Sequence, residues 1–173
     1  MLRSWLIATM CCTIIHMKAA DRTKGIIKYL VFSMNLPTIT SITKMLYLID
    51  LASVSSTGHK TTNLNFVRYY YGPYDKNIKT ILDELTASNE IEADVKYLSN
   101  GEPFIAYKSP SNVTDCDYDG ENAQIVQDLV NSLGNLSPKT LTELAYKTKP
   151  MTKLGATLGG NEHLNEVLDL SEV

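Results

Sequence analysis

The chain is short of the residues that would staple it or hold a metal. Among 173 residues there are three cysteines, Cys11, Cys12 and Cys116. Two are adjacent and no C-x-x-C pair is formed, so neither a zinc knuckle nor a disulfide framework is indicated, and a reducing cytoplasm is the simplest compartment. The three histidines, His16, His59 and His163, are far apart and none has H-E-x-x-H spacing. A metal site would have to be assembled from distant positions, and no cofactor is expected. Charge of one sign is missing too. Sixteen Lys and Arg against nineteen Asp and Glu leave −3, which supplies no bulk attraction to nucleic acid or to an anionic membrane.

No apolar run reaches the roughly 20 residues of a membrane-spanning helix. The nearest is MLRSWLIATMCCTIIH (1–16), in which Arg3 precedes about a dozen mostly apolar residues, a pattern resembling a short signal peptide. Met17-Lys18 directly behind it reads as a fresh start, and helical periodicity begins there. An over-called start is the favoured reading, with an extra helix and an export signal as alternatives. A chain beginning at Met17 is expected to fold and bind as the whole does. The sequons at Asn112 and Asn135 would matter only for an exported chain.

What is present is an ordinary globular composition, 44% hydrophobic and 20% charged, in a chain of one-domain length. From Asp21, Ile26, Ile27, Leu30, Val31 and Met34 define a helical face that ends at Asn35-Leu36-Pro37. A second helix is expected from about Thr38 to Gly58, with Ile42, Met45, Leu46, Ile49 and Ala52 as its apolar stripe and Gly58 at its C-terminal turn. A third, short helix is expected over Asn63 to Tyr71, broken by Gly72-Pro73. A fourth follows from about Asp75, carrying Ile78, Ile81, Leu82 and Leu85. Residues 91–108 change to period two around Ser99-Asn100-Gly101, a hairpin signal. Beyond an acidic loop (109–120), helices are expected with Ile125, Leu129, Val130 and Leu133, then with Leu141, Leu144 and Ala145 between Ser137-Pro138 and Pro150, and lastly with Leu164, Val167 and Leu168. The fold class is mainly α (α+β): a compact helical domain over 17–150 with one β-hairpin near 91–108, a winged-helix-like order of elements, and a helical tail over 151–173.

Catalytic spacing is sought without success, and an enzyme is not expected. The glycine-rich LGATLGGN (154–161) lacks the Gly-Lys-Ser/Thr ending of a P-loop and no strand precedes it, so it reads as a connector. Cys116 sits among Asp115, Asp117 and Asp119, which should raise its thiol pKa and make it a poor nucleophile. Those three aspartates alternate like a calcium loop without the downstream Gly and Glu. Asp50 beside Tyr47 reads most simply as a half-exposed helix carboxylate. DNA binding is the alternative, because helix, helix and hairpin follow in winged-helix order and Lys60, Arg68, Lys76, Lys79, Lys96 and Lys108 are available for phosphates. Asp50, Asp75, Asp83, Glu84, Glu90, Glu92 and Asp94 are interleaved with them, however, and tyrosine-rich surface suits a protein contact.

The stretch from Ile42 to Ile78, ITKMLYLIDLASVSSTGHKTTNLNFVRYYYGPYDKNI, resembles the core of the Panacea-domain, or SocA-like, family of antitoxins. The matching features are Lys44-Met45-Leu46-Tyr47, Gly58, the connector His59 to Thr62, the aromatic segment Phe66 to Tyr71, and Gly72-Pro73 before another helix. The resemblance covers roughly 20–108, and 121–150 loosely. The connector lacks a proline, and Asp50-Leu51-Ala52 is an atypical end to the first motif. The resemblance implies a prokaryotic or phage protein without enzymatic activity that neutralises a co-encoded toxin by binding it, or by delivering it to a protease, in which case a protease or chaperone is a second partner. Lys44, Leu46, Tyr47, Gly58, Gly72 and Pro73 are then expected to define the fold. Arg68, Tyr69, Tyr70, Asp75 and Lys76 are the expected partner contacts.

Overall fold

The computed structural model describes residues 19–171; the readings of residues 1–16 fall outside the described residues. Six helices occur among these: α1 (Ala19–Ser33), α2 (Ile39–Thr57), α3 (Asn77–Ala87), α4 (Ala123–Leu133), α5 (Pro138–Tyr146) and α6 (Lys149–Lys153). Two antiparallel hairpins complete the α+β fold, β1 (Val67–Tyr69) with β2 (Gly72–Tyr74), and β3 (Glu92–Tyr97) with β4 (Pro103–Lys108).

Helix α2 is the axis of the molecule. Thr38 and Ser41 close a capping box at its start, and Gly58 ends it at φ 81° with its N–H on the Val54 carbonyl. The helices α1, α3, α4 and α5 and the strand β2 all pack against it. It is therefore buried around most of its circumference: Ile42, Met45, Leu46 and Ile49 are inside, and so are Lys44, Tyr47 and Asp50. The expected apolar stripe is real but incomplete as a description, because polar side chains are sealed in beside it.

Three expectations are corrected. Residues 63–71 are not a helix. Val67-Arg68-Tyr69 and Gly72-Pro73-Tyr74 are strands in register Val67–Tyr74, Arg68–Pro73 and Tyr69–Gly72, so the described residues hold two hairpins rather than one. β-branched and aromatic side chains favour extended backbone here, and buried carboxylates take up the amides of the preceding segment before a helical turn can use them. Nor does Pro150 end the preceding helix; it lies in the first turn of α6, where its missing N–H costs no bond. The tail around Leu164 to Leu168 is not helical either. It turns over residues 162–165 and then runs antiparallel to β1, with Leu168 N–H on the Phe66 carbonyl at 2.9 Å, Arg68 N–H on the Glu166 carbonyl at 2.8 Å and Asn165 N–H on the Arg68 carbonyl at 2.7 Å.

Candidate protein-contact site

The corner of the fold is built outward from Asp50. This carboxylate is fully buried, not half-exposed, and accepts from Thr61 N–H at 3.0 Å, Thr62 N–H at 2.8 Å and the Thr62 hydroxyl at 2.5 Å. Burial pushes its pKa up, and the Thr62 hydroxyl and amide pull it back. The connector after Gly58 is thereby wrapped around a side chain of α2. Ser53 and Thr61 share a hydrogen bond of 2.7 Å, and Asn122 donates to Thr61 from the entry of α4 at 2.8 Å.

Asp75 repeats the device at the far end of the hairpin. Its carboxylate accepts from Asn65 N–H at 2.5 Å and from Asn77 N–H at 2.7 Å, so it pins the segment before β1 and caps the entry of α3. Asp75 is buried and committed to backbone, which leaves no carboxylate oxygen displayed as a partner contact.

Between these anchors the chain reverses at Tyr70-Tyr71. Neither tyrosine takes positive φ; the reversal is completed by Gly72 at φ 94°. A Cβ on Gly72 would sit 3.2 Å from Tyr146 Cε2 and 3.5 Å from Lys44 Cε. Gly72→Val is therefore expected to cost about 2 kcal/mol or more, from left-handed strain and displaced neighbours, and chemical denaturation of the variant measures it. Pro73 faces Arg68 across the hairpin. The N–H and C=O of Arg68 point away to the tail, so this is a pair at which the absent proline N–H breaks no ladder bond. The Pro73 carbonyl, on the outer edge of β2, takes a bond of 2.8 Å from Lys44 Nζ. Burial first, then the Arg68 charge, lowers the Lys44 pKa to about 7.

Arg68 is 0% exposed and lies under the hairpin. Its Nη2 donates to the carbonyls of Gly160 at 2.7 Å and Thr157 at 3.2 Å, and its guanidinium carbon stands 5.4 Å from the centre of the Tyr146 ring. The structure thus places Arg68 inside, holding the tail, and not on the surface with Tyr69. Tyr47 stands edge-on to Phe66 with centroids 5.4 Å apart and shares a bond of 2.6 Å with the Thr148 hydroxyl. Burial raises its pKa to about 12, against the pull of Thr148. Leu46 is fully buried beside it.

The exposed part of the corner is aromatic. Tyr69, Tyr70 and Tyr71 are 38%, 47% and 74% exposed. Tyr69 stacks on Tyr74 at 5.0 Å and meets Tyr70 edge-on at 5.0 Å. The Tyr69–Tyr74 stack forms a ridge between two shallow grooves. One, of about 160 Å³, has Lys44, Thr40 and Gly72 on its walls; the other, of about 350 Å³, has Asp75, Lys76 and Asn165. Lys76 is exposed at the foot of the ridge. Of the five expected contacts, the structure brings Tyr69, Tyr70 and Lys76 together at the surface and sends Arg68 and Asp75 inside. Sequence reasoning missed Tyr146, which supports the hairpin from below and donates to the Tyr70 carbonyl at 3.3 Å. No spacing rule links residues 70 and 146.

Other candidate residues are placed elsewhere. Cys116 is half-buried, and its thiol pKa is raised by burial first and by Asp117 and Asp115 after it. Among the described residues, no group of three His, Cys, Asp or Glu is placed to hold a metal ion, and no helix is long and apolar enough to cross a membrane.

A small α+β domain with buried polar anchors and an exposed tyrosine ridge has the features of a binding module. The family model described as Antitoxin SocA-like, Panacea domain matches residues 42–150, and the chain belongs to that family. The match starts inside α2, not at residue 20, and ends in the first turn of α6, so it takes in the whole corner and excludes the tail. No curated protein and no solved structure matches the chain.

Proposed function

We propose that this protein is an antitoxin that acts in the cytoplasm by binding a co-encoded toxin, without catalysis of its own, and that the tyrosine ridge makes the contact. The observation that carries the reading is the ridge itself: four tyrosines, Tyr69, Tyr70, Tyr71 and Tyr74, on a hairpin held from beneath by Lys44, Arg68 and Tyr146. Tyrosine offers large amphipathic area with few rotatable bonds, and a rigid mount lowers the entropy lost on binding. Release of the toxin to a protease or chaperone is compatible with the same surface.

The DNA-binding alternative is weakened by where the cations sit. Arg68 is buried, Lys60 bonds the Leu64 carbonyl, and Lys79 and Lys108 pair with Asp83 and Glu92. That leaves Lys76 and Lys96 of the six candidates.

Tyr69→Ala combined with Tyr70→Ala is expected to leave thermal stability within about 1 kcal/mol. It should weaken capture of the neighbouring reading frame's product by roughly 30-fold or more, since central tyrosine anchors are worth about 2 kcal/mol each. Co-purification, growth rescue and thermal melts on the same variant decide. Full rescue by a folded double variant moves the site off the ridge, and tight salt-sensitive binding to upstream DNA with no protein captured replaces the antitoxin reading.

A further inference from the structure

The outer edge of β1 is covered by the chain's own C-terminal segment, residues 155–171, a strap outside the family match. Three backbone bonds, between residues 66 and 168 and between Arg68 and both Asn165 and Glu166, join it to β1, and Val67 faces Val167 in an isolated antiparallel bridge. Its buried side-chain anchors are Leu168 and Leu170. Most of the rest of the strap lies at the surface. Gly155 and Gly159 take positive φ in its lead-in, and His163 and Asn165 take φ 57° and 66°, turn positions that Asn and His adopt more readily than other residues with a Cβ. A groove of about 620 Å³ stays open between Leu168 and Leu170 on one side and Val54, His59, Lys60 and Phe66 on the other.

Beneath the strap, Arg68 is underserved. Its Nε and Nη1 are buried without a hydrogen-bond partner, and the acceptors of its Nη2 are two strap carbonyls rather than a carboxylate. A buried guanidinium with spare donors favours an acidic occupant. The strap's own sequence has that character: Glu162, Glu166 and Asp169 alternate with Leu164, Leu168 and Leu170, and no Lys or Arg occurs after Lys153.

We propose that the outer edge of β1 is a docking site for an extended, acidic, leucine-bearing segment of a protein partner, and that the strap occupies this edge in the free chain and leaves when the partner binds. Strand addition supplies backbone bonds along the edge, the partner's leucines take the places that Leu168 and Leu170 leave, and a partner carboxylate reaches the spare donors of Arg68. The proposal deepens the protein-binding reading above and rests on it for the identity of the partner.

The test ties the strap down reversibly. Val67 and Val167 face each other between bonded pairs, where Cβ atoms approach closest. The full chain carrying Val67→Cys and Val167→Cys, with Cys11, Cys12 and Cys116 changed to serine, can be compared oxidised and reduced. The probe is a fluorescent synthetic peptide of sequence NEHLNEVLDLS (161–171), read by anisotropy. A second full-length protein, Leu168→Asp with Leu170→Asp, releases the strap, and hydrogen exchange in α2 verifies that it is folded.

The oxidised form is expected to refuse the peptide, the reduced form to bind it weakly, and the released form to bind at least tenfold more tightly than the reduced one. Equal binding by oxidised and reduced protein, or none by a folded released variant, overturns the proposal. A wild-type dimer that exchanges straps between copies and excludes the peptide also overturns it. Should the released variant unfold, the oxidised-to-reduced comparison decides alone. The neighbouring frame's product separates the two readings: equal capture by both redox forms sinks edge docking and leaves the antitoxin reading standing. Peptide binding without capture of that product by any form sinks the antitoxin reading instead.

Discussion

Stability is expected to rise as the pH goes from 7 to 9, the reverse of the plateau of an ordinary near-neutral protein. The cause is Lys44, whose pKa falls from an ordinary 10.5 to about 7 through burial and the neighbouring Arg68. Between those values the unfolded chain binds a proton that the folded chain does not, so each pH unit gained favours folding by up to about 1.4 kcal/mol. The penalty for burying the ammonium is constant below pH 7, is relieved by roughly 5 kcal/mol across the window, and is gone above the unfolded value. Other groups oppose it only at the upper end. Tyr47, at about 12, and Tyr107, Tyr118 and Tyr146, also raised by burial, keep protons that the unfolded chain gives up near pH 10; Cys116, likewise raised, acts slightly earlier. The rise should therefore slow and turn over as the tyrosines of the unfolded chain begin to ionise. Urea titrations of the wild type and Lys44→Met at pH 7, 8 and 9 measure the effect. Lys44→Met should flatten the rise and be at least as stable as wild type at pH 7, because the Pro73 carbonyl loses only one donor, worth about 1–3 kcal/mol. Parallel pH curves for the two proteins would show that the ammonium is not desolvated.

Asp50→Ala is expected to be the most damaging single truncation of a polar side chain, by about 4 kcal/mol. It leaves Thr61 and Thr62 N–H buried without their acceptor, and each orphaned group costs about 1–3 kcal/mol. Asp50→Asn is expected to cost only about 1–2 kcal/mol. Both amides bond the same oxygen, Oδ1, which an asparagine can keep, while its NH₂ meets the Thr62 hydroxyl. Hydrogen exchange should show the loss as opening of residues 61–75 ahead of global unfolding, since this connector carries the chain into the hairpin. An alanine variant as stable as the asparagine one would mean that water serves the two amides.

How far the corner was legible depends on which residues are asked. Gly58 and Gly72 were readable as turn positions, and both take the left-handed backbone that glycine alone adopts freely. Lys44 and Tyr47 were picked out by a motif, but nothing in their spacing says that a lysine on a helix bonds a proline carbonyl 29 residues on. The hairpin at 67–74 was misread as helix. Tyrosines at 69, 70 and 71 satisfy a helical period as well as an extended one, and the deciding interactions came from Asp50, Asp75 and the strap. Arg68 was misread for a related reason. An arginine among tyrosines looks like an interface anchor until the chain folds back to offer it carbonyls 89 and 92 positions away.

By itself the sequence determined what depends on neighbours along the chain. Apolar periodicity set α1 through α5, Ser99-Asn100-Gly101 announced the β3–β4 turn, and the stretch from Lys44 to Pro73 carried the family. Tertiary structure decided what depends on partners far along the chain: that Lys44, Asp50, Arg68 and Asp75 are inside, that residues 67–74 pair as strands, and that the tail lies along β1 instead of coiling. The physical reason is common to all of these. Local propensities differ by about 1 kcal/mol or less per residue, whereas a buried charge or amide left without a partner costs several times that. In this corner the polar side chains could be satisfied only at long range, so long-range contacts chose the backbone.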